Sequence, residues 1–153
     1  MSANAWRFET LVIHGAQAPQ EWQAATLSPI YQTAAHRFET AEELSEVFAG
    51  RKPGFIYQRL RNPTNETLER RLALLEGGKA AVVTSSGMAA IANAVLSICR
   101  AGDEFVSANS LFMSTYLLFT NVLAKFGVQA RLDETADLDA WRAAVNERTK
   151  LLY

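Results

Sequence analysis

Val82-Val83-Thr84-Ser85-Ser86-Gly87-Met88-Ala89-Ala90 is the stretch on which the fold turns. A β-branched apolar run gives way to two serines and a glycine, and these lead into small and apolar residues that continue to Cys99. Ala80 to Thr84 has the pattern of a short buried parallel strand. Ser85-Ser86-Gly87 forms the loop after it, and Met88 to Cys99 is expected to be a helix ending near Gly102. A small-residue loop that leaves backbone N–H groups free at a helix N-terminus is an anion site, above all for phosphate. There Gly87 would let the backbone approach the anion closely, and Ser86 would add a hydroxyl donor. A tight turn closed by a serine cap accounts for the same residues. The loop is not a Walker motif, because Gly77-Gly78-Lys79 is followed by Ala80 and precedes the strand, the reverse of the required order. It is not the GxGxxG fingerprint either.

Downstream, the alternation continues. Glu104 to Ser107 is a second expected strand, Thr115 to Phe126 a helix stopped by Gly127, and Val128 to Leu132 a third strand. Leu138 to Val145 follows as a helix capped by Asp137, and Thr149 to Tyr153 begins a fourth strand. Strands alternating with helices of about ten residues imply a three-layer α/β sheet with right-handed crossovers. Upstream, Asn62-Pro63-Thr64-Asn65 is a turn and capping signal; Leu68, Leu72 and Leu75 follow at helical spacing, and Gly77-Gly78 stops that helix.

Before Arg61 the pattern is looser. Gly15, Pro19 and Ser28-Pro29 interrupt the apolar residues from Thr10 to Gly50. Thr40 with Glu43 three positions on has the form of a capping box and starts a helix through Phe48. Gly50, Pro53 and Gly54 then break the chain. The expectation is an extended arm with one short helix, burying little against itself and needing a partner surface. The chain stops inside an apparent strand, Lys150-Leu151-Leu152-Tyr153, with no helix to cover it, and so reads as truncated.

Composition narrows the function classes. In 153 residues, 15 Lys and Arg face 16 Asp and Glu, a net charge of −1 that provides no global field for nucleic acid or an anionic membrane. Cys99 is the only cysteine, so no intrachain disulfide is available, and its apolar neighbours make it a buried structural thiol. Met1 to Thr10 carries Arg7 and Glu9 and lacks the apolar core of a signal peptide. No apolar run reaches the roughly 20 residues of a membrane span. The expected compartment is the cytoplasm. His14 and His36 lack metal-ligand spacing, so no metal is expected.

A second chemical cluster is Tyr57-Gln58-Arg59-Leu60-Arg61-Asn62-Pro63-Thr64. In an extended segment Tyr57 and Arg59, two apart, face the same way. A guanidinium and a phenol on one face can grip a phosphate together. Arg51, Lys52, Arg59 and Arg61, interleaved with Phe55 and Tyr57, could equally be a solvated basic strip or a nucleic-acid patch with stacking aromatics.

Ile56-Tyr57-Gln58-Arg59 with Asn62-Pro63-Thr64-Asn65, Leu74-Leu75-Glu76-Gly77-Gly78 and Ser85-Ser86-Gly87-Met88-Ala89-Ala90 occur in an order and spacing that resemble the Cys/Met-metabolism pyridoxal-phosphate enzymes. The resemblance runs from about Thr10, through Ser28-Pro29-Ile30-Tyr31-Gln32-Thr33, to Tyr153. It implies the fold type I, aspartate aminotransferase-like α/β/α sandwich. Residues 1–61 would be an arm contacting the partner subunit, and residues 62–153 the first part of the cofactor domain. It implies pyridoxal 5'-phosphate as cofactor, with Gly87 and Met88 as phosphate-binding amides beside Ser86. Tyr57 and Arg59 would reach the same phosphate from a neighbouring subunit, and Phe112 would be the aromatic ring stacked on the pyridine. Without the resemblance, Phe112 is a core or surface phenylalanine. Met113 departs from the glycine usual after that aromatic.

The resemblance further implies a homo-oligomer, a dimer of dimers, acting on an amino-acid substrate. Phenylalanine at position 112 favours the sulfhydrylases that use O-succinylhomoserine and form homocysteine for methionine synthesis. Cystathionine γ-synthase or γ-lyase and methionine γ-lyase are the sibling alternatives; a non-catalytic truncated assembly module is the alternative of another class. No catalytic residue is expected within the chain. The Schiff-base lysine would lie beyond Tyr153, and Lys52, Lys79, Lys125 and Lys150 sit in no matching context, so the isolated chain is expected to be inactive.

Overall fold

The computed structural model describes residues 6–18, 24–133 and 138–153. Contacts divide the chain into two compact units, one through Val83 and one from Thr84 onward.

The first unit is built on helix α3 (Pro63–Leu75). Asn62 starts it: its Oδ1 accepts the Thr64 N–H at 2.8 Å, and Pro63 at the first helical position forfeits only an N–H that no helix start could satisfy. The same amide side chain donates through Nδ2 to the Tyr31 carbonyl at 3.1 Å, while the Tyr31 N–H donates to Thr64 Oγ1 at 2.9 Å. The Ser28–Thr33 segment is thereby pinned to the start of α3. Helix α2 (Ala41–Phe48) is capped by Thr40, whose hydroxyl accepts the Glu43 N–H at 3.1 Å. Glu43 does not reach back to Thr40 as a reciprocal capping box would have it; its carboxylate takes Lys52 at 2.6 Å. Gly54 is required by close approach, since a Cβ there would stand 2.9 Å from Val47 Cγ1.

Two further expectations fail in or at the end of this unit. A further helix, α1 (Phe8–His14), precedes the one expected in the arm. It has no side-chain cap and buries none of its residues; it lies against α3, where Arg71 Nε donates to the Gly15 carbonyl at 3.0 Å. Residues 80–84 are not a buried strand: they join no ladder among the described residues, and Val82 is 82% exposed. A strand exists only through its neighbours, and here the Val83 N–H is taken instead by the Glu69 carboxylate at 2.9 Å.

The second unit carries a parallel sheet of order β2-β1-β3, with β1 (Glu104–Ala108), β2 (Gln129–Asp133) and β3 (Thr149–Leu152). The central strand β1 is buried from Glu104 through Ser107, as a strand covered on both faces must be. Helix α4 (Gly87–Ile98) and the helical stretch from Met113 to Phe126 pack on it through Val95, Cys99, Phe105, Phe119, Leu123 and Val128. Phe105, Phe119 and Tyr153 meet edge to face, with ring centroids 4.8 and 4.9 Å apart. Buried Glu104 pairs with Arg148 and accepts Asn146 Nδ2 at 2.8 Å, anchoring the turn before β3.

The helix expected from Thr115 to Phe126 begins earlier and is irregular. It runs as α5 (Met113–Leu117), a π turn (Leu118–Val122) and a 3₁₀ turn (Leu123–Phe126). Thr120 Oγ1 donates to the Tyr116 carbonyl at 2.9 Å, the kind of side-chain intrusion that widens a helical ladder. Gly127, at φ 76°, ends it in the left-handed conformation. Helix α6 is Leu138–Ala144; its expected cap, Asp137, and the interrupting Pro19 lie outside the described residues.

Candidate functional site

Ser86 initiates α4 in extended conformation, and its Oγ accepts the Ala89 N–H at 3.1 Å. The Ala90 N–H goes to the Ser86 carbonyl at 3.0 Å. The amides of Gly87 and Met88 remain, and among the described residues neither has an acceptor. The cap leaves the Ser86 hydroxyl proton free to donate. No acidic residue lies in the first turn of this 12-residue helix, and a Cβ built on Gly87 meets nothing within 4 Å. The serine-cap reading of the loop holds, and beside that cap the two amides have no acceptor among the described residues. Two N–H donors, a hydroxyl proton and the positive end of the helix fit a phosphate dianion.

The loop after β1 belongs to the same unit. The Asn109 N–H donates to the Asp133 carbonyl at 2.9 Å, and the Leu111 N–H to the Asn109 carbonyl at 2.9 Å. Leu111 packs on the core, whereas Phe112 is 77% exposed. The Phe112 carbonyl accepts the N–H groups of Thr115 and Tyr116 at 2.9 and 3.0 Å, which starts α5 without a side-chain cap. Met113 is the first residue of that helix and has no positive φ, so the backbone here does not require glycine. The ring of Phe112 is thus presented outward at the carboxyl end of the central strand, where open α/β sheets bind their ligands.

Tyr57 and Arg59 lie in the first unit. They do share a face, but not through an extended segment. Tyr57 forms an isolated antiparallel bridge with Ala35, and the chain then turns, with the Tyr57 carbonyl accepting the N–H groups of Leu60 and Arg61 at 2.9 and 3.1 Å. The turn lays the Arg59 guanidinium over the Tyr57 ring, 5.2 Å from its centroid. The basic strip is mostly neutralised. Arg51 pairs with Glu46 at 2.7 Å, Lys52 with Glu43 at 2.6 Å and Arg61 with Glu66 at 2.8 Å. Of these four cations Arg59 alone has no carboxylate partner among the described residues, and the pairing of the other three argues against a continuous nucleic-acid patch.

Elsewhere the chemistry is ordinary. Burial first, and the Asp103 carboxylate second, push the Cys99 thiol above its usual range, with Lys150 opposing them. No group of three or more His, Cys, Asp or Glu side chains among the described residues could hold a metal, and no helix among them is long and apolar enough to cross a membrane.

A parallel α/β sheet with open amides at one helix N-terminus and an exposed aromatic ring at its carboxyl edge is an arrangement that suits a phosphate-bearing ligand. The chain belongs to the Cys/Met metabolism PLP-dependent enzyme family, whose profile matches residues 9–153. Pyridoxal 5'-phosphate is the family's cofactor. The chain is 39% identical over 146 residues to L-methionine gamma-lyase of Pseudomonas putida, which covers 95% of this chain and 37% of that protein. It is 41% identical over 153 residues to O-acetyl-L-homoserine sulfhydrylase of Corynebacterium glutamicum, 99% of this chain and 35% of that one. It is also 39% identical over 148 residues to O-succinylhomoserine sulfhydrylase of Pseudomonas aeruginosa, 95% of this chain and 36% of that one. The metY protein of Campylobacter jejuni, solved with N'-pyridoxyl-lysine-5'-monophosphate at position 205, superposes with a TM-score of 0.90 at 35% identity, over 96% of this chain and 36% of that one. The chain thus spans little more than a third of these relatives' lengths.

Proposed function

We propose that this chain is the cofactor-gripping, amino-terminal part of a γ-replacement enzyme, which exchanges the acyl group of an O-acylated homoserine, in the first place O-succinylhomoserine, for sulfur and so forms homocysteine. The observation that carries the reading is the pair of open amides at Gly87 and Met88, on a helix start without acidic residues, in the same unit as the exposed ring of Phe112.

Bound pyridoxal phosphate supplies an electron sink for the amino acid's Cα. The chain's own residues hold that group in place. Gly87 and Met88 donate their N–H groups to phosphate oxygens, and Ser86 donates its hydroxyl proton while its lone pair keeps α4 capped. Phe112 offers a face and no hydroxyl, so it stacks and moves no proton. Tyr57 and Arg59 reach the phosphate of a neighbouring subunit's site, in a homo-oligomer arranged as a dimer of dimers in the cytoplasm. The arm, residues 1–61, makes that contact, and residues 62–153 begin the cofactor domain.

The lysine that anchors the cofactor lies outside these residues. The Campylobacter jejuni relative, whose pyridoxylated lysine is at position 205, supports that placement.

A second reading, γ-elimination from methionine, has support of its own, because the Pseudomonas putida gamma-lyase is as similar as the O-succinylhomoserine sulfhydrylase, at 39% identity each. The full-length enzyme separates the two. Homocysteine formed from O-succinylhomoserine and sulfide supports replacement. Thiol and keto acid released from methionine alone support elimination, and preference for cysteine over sulfide supports a cystathionine-forming sibling.

A further inference from the structure

We infer that Thr115 is a positioning residue that sets the spacing between the phosphate-binding amides and the stacking ring. This rests on the cofactor reading of Gly87, Met88 and Phe112. Thr115 is 5% exposed, and it touches both halves of the site. Its backbone N–H donates to the Phe112 carbonyl at 2.9 Å, and its hydroxyl donates to Met88 Sδ at 3.9 Å.

The second bond is unusual for a threonine in a helix. Such a hydroxyl ordinarily turns back to a carbonyl three or four residues earlier, as Thr120 does to Tyr116 at 2.9 Å. Thr115 instead points its hydroxyl off its own helix and onto α4, where the sulfur is the one acceptor recorded for it among the described residues. Met88 is itself one of the two residues with an open amide. A thioether is a weak acceptor on a flexible side chain, so a lone contact of this kind would define little. Here its donor is a buried residue whose backbone is already committed to Phe112, and the first turn of α4 is thereby held against the first turn of α5. A change at Thr115 alters where the phosphate sits relative to the ring, without removing any group that touches the cofactor.

The experiment uses the full-length enzyme with Thr115→Val, Thr115→Ser, Met88→Leu, the Thr115→Val/Met88→Leu pair and Phe112→Ala. It measures pyridoxal-phosphate Kd by fluorescence titration, together with the induced circular dichroism of the bound cofactor. Thr115→Val, which keeps the shape and loses the hydroxyl, raises Kd about fivefold, the effect of one weak buried hydrogen bond, and changes the dichroism. Thr115→Ser keeps Kd within about twofold of the parent. Met88→Leu moves both readouts in the direction of Thr115→Val, and the pair is no worse than either alone. The inference is overturned if Thr115→Val binds and orients cofactor as the parent does, if Thr115→Ser loses as much as valine, or if the two changes are additive. If Phe112→Ala weakens binding and Thr115→Val does not, only the positioning role falls. If Phe112→Ala also changes nothing, the cofactor reading falls with it.

Discussion

Replacing Phe112 with alanine separates a stacking ring from a core ring, because the structure forecasts opposite effects on cofactor and fold. Phe112 is 77% exposed, its neighbour Leu111 makes the core contact, and α5 is started by the Phe112 carbonyl, which alanine also has. Truncation should therefore leave the cofactor-free protein as stable as before. A phenylalanine side chain buries roughly 150–250 Å² when enclosed, and covering one face of an exposed ring accounts for roughly 60 Å² of it. At about 25 cal/mol per Å² that face contributes about 1.5 kcal/mol, or about tenfold in cofactor affinity. Phe112→Tyr keeps the face and should bind almost normally. Fluorescence titration with pyridoxal phosphate gives the affinity, and thermal unfolding of the cofactor-free enzyme gives the stability. Unchanged affinity in the alanine variant would refute the stacking role. A loss of stability above about 1 kcal/mol in the cofactor-free protein would show instead that the ring is a packing residue.

The remaining expectations concern single groups. Arg59→Ala should weaken phosphate binding by about 1.5–3 kcal/mol, the range for a charge-assisted hydrogen bond. Mixing Arg59→Ala subunits with subunits altered on the Gly87 side should restore one intact site of two, and no recovery in proven heterodimers would place Arg59 in its own chain's site. Pyridoxal phosphate with borohydride should leave no lysine of this 153-residue chain stoichiometrically labelled, and clean labelling of Lys52, Lys79, Lys125 or Lys150 would refute that. Cys99 is 3% exposed and its thiol is raised by burial and by Asp103, so thiolate is scarce at neutral pH and grows only as pH rises. A thiol reagent should label it only on unfolding, and rapid labelling of the native protein at pH 7 would contradict the packing.

What the sequence determined by itself is what short-range chemistry decides. Thr40 and Asn62 cap their helices because a side-chain oxygen two or three residues from an unpaired N–H needs nothing further. Gly127 ends its helix because the left-handed conformation carries no Cβ penalty in glycine. The β1, β2 and β3 segments are legible as short stretches between turn signals, and the start of α4 by the small residues Ser86 and Gly87. Tertiary structure decided the rest, because those features depend on partners far along the chain. Ala80 to Thr84 has the composition of a strand, but a ladder needs a neighbour, and the Val83 N–H found Glu69. Helix α1 has no cap to betray it and rests on α3. Arg59 stands apart from Arg51, Lys52 and Arg61 because the fold brings Glu46, Glu43 and Glu66 to those three, while it lies over the Tyr57 ring. Thr115 meets Met88, 27 residues away, only because α4 and α5 pack together, and no local pattern encodes which of two helix threonines turns its hydroxyl outward.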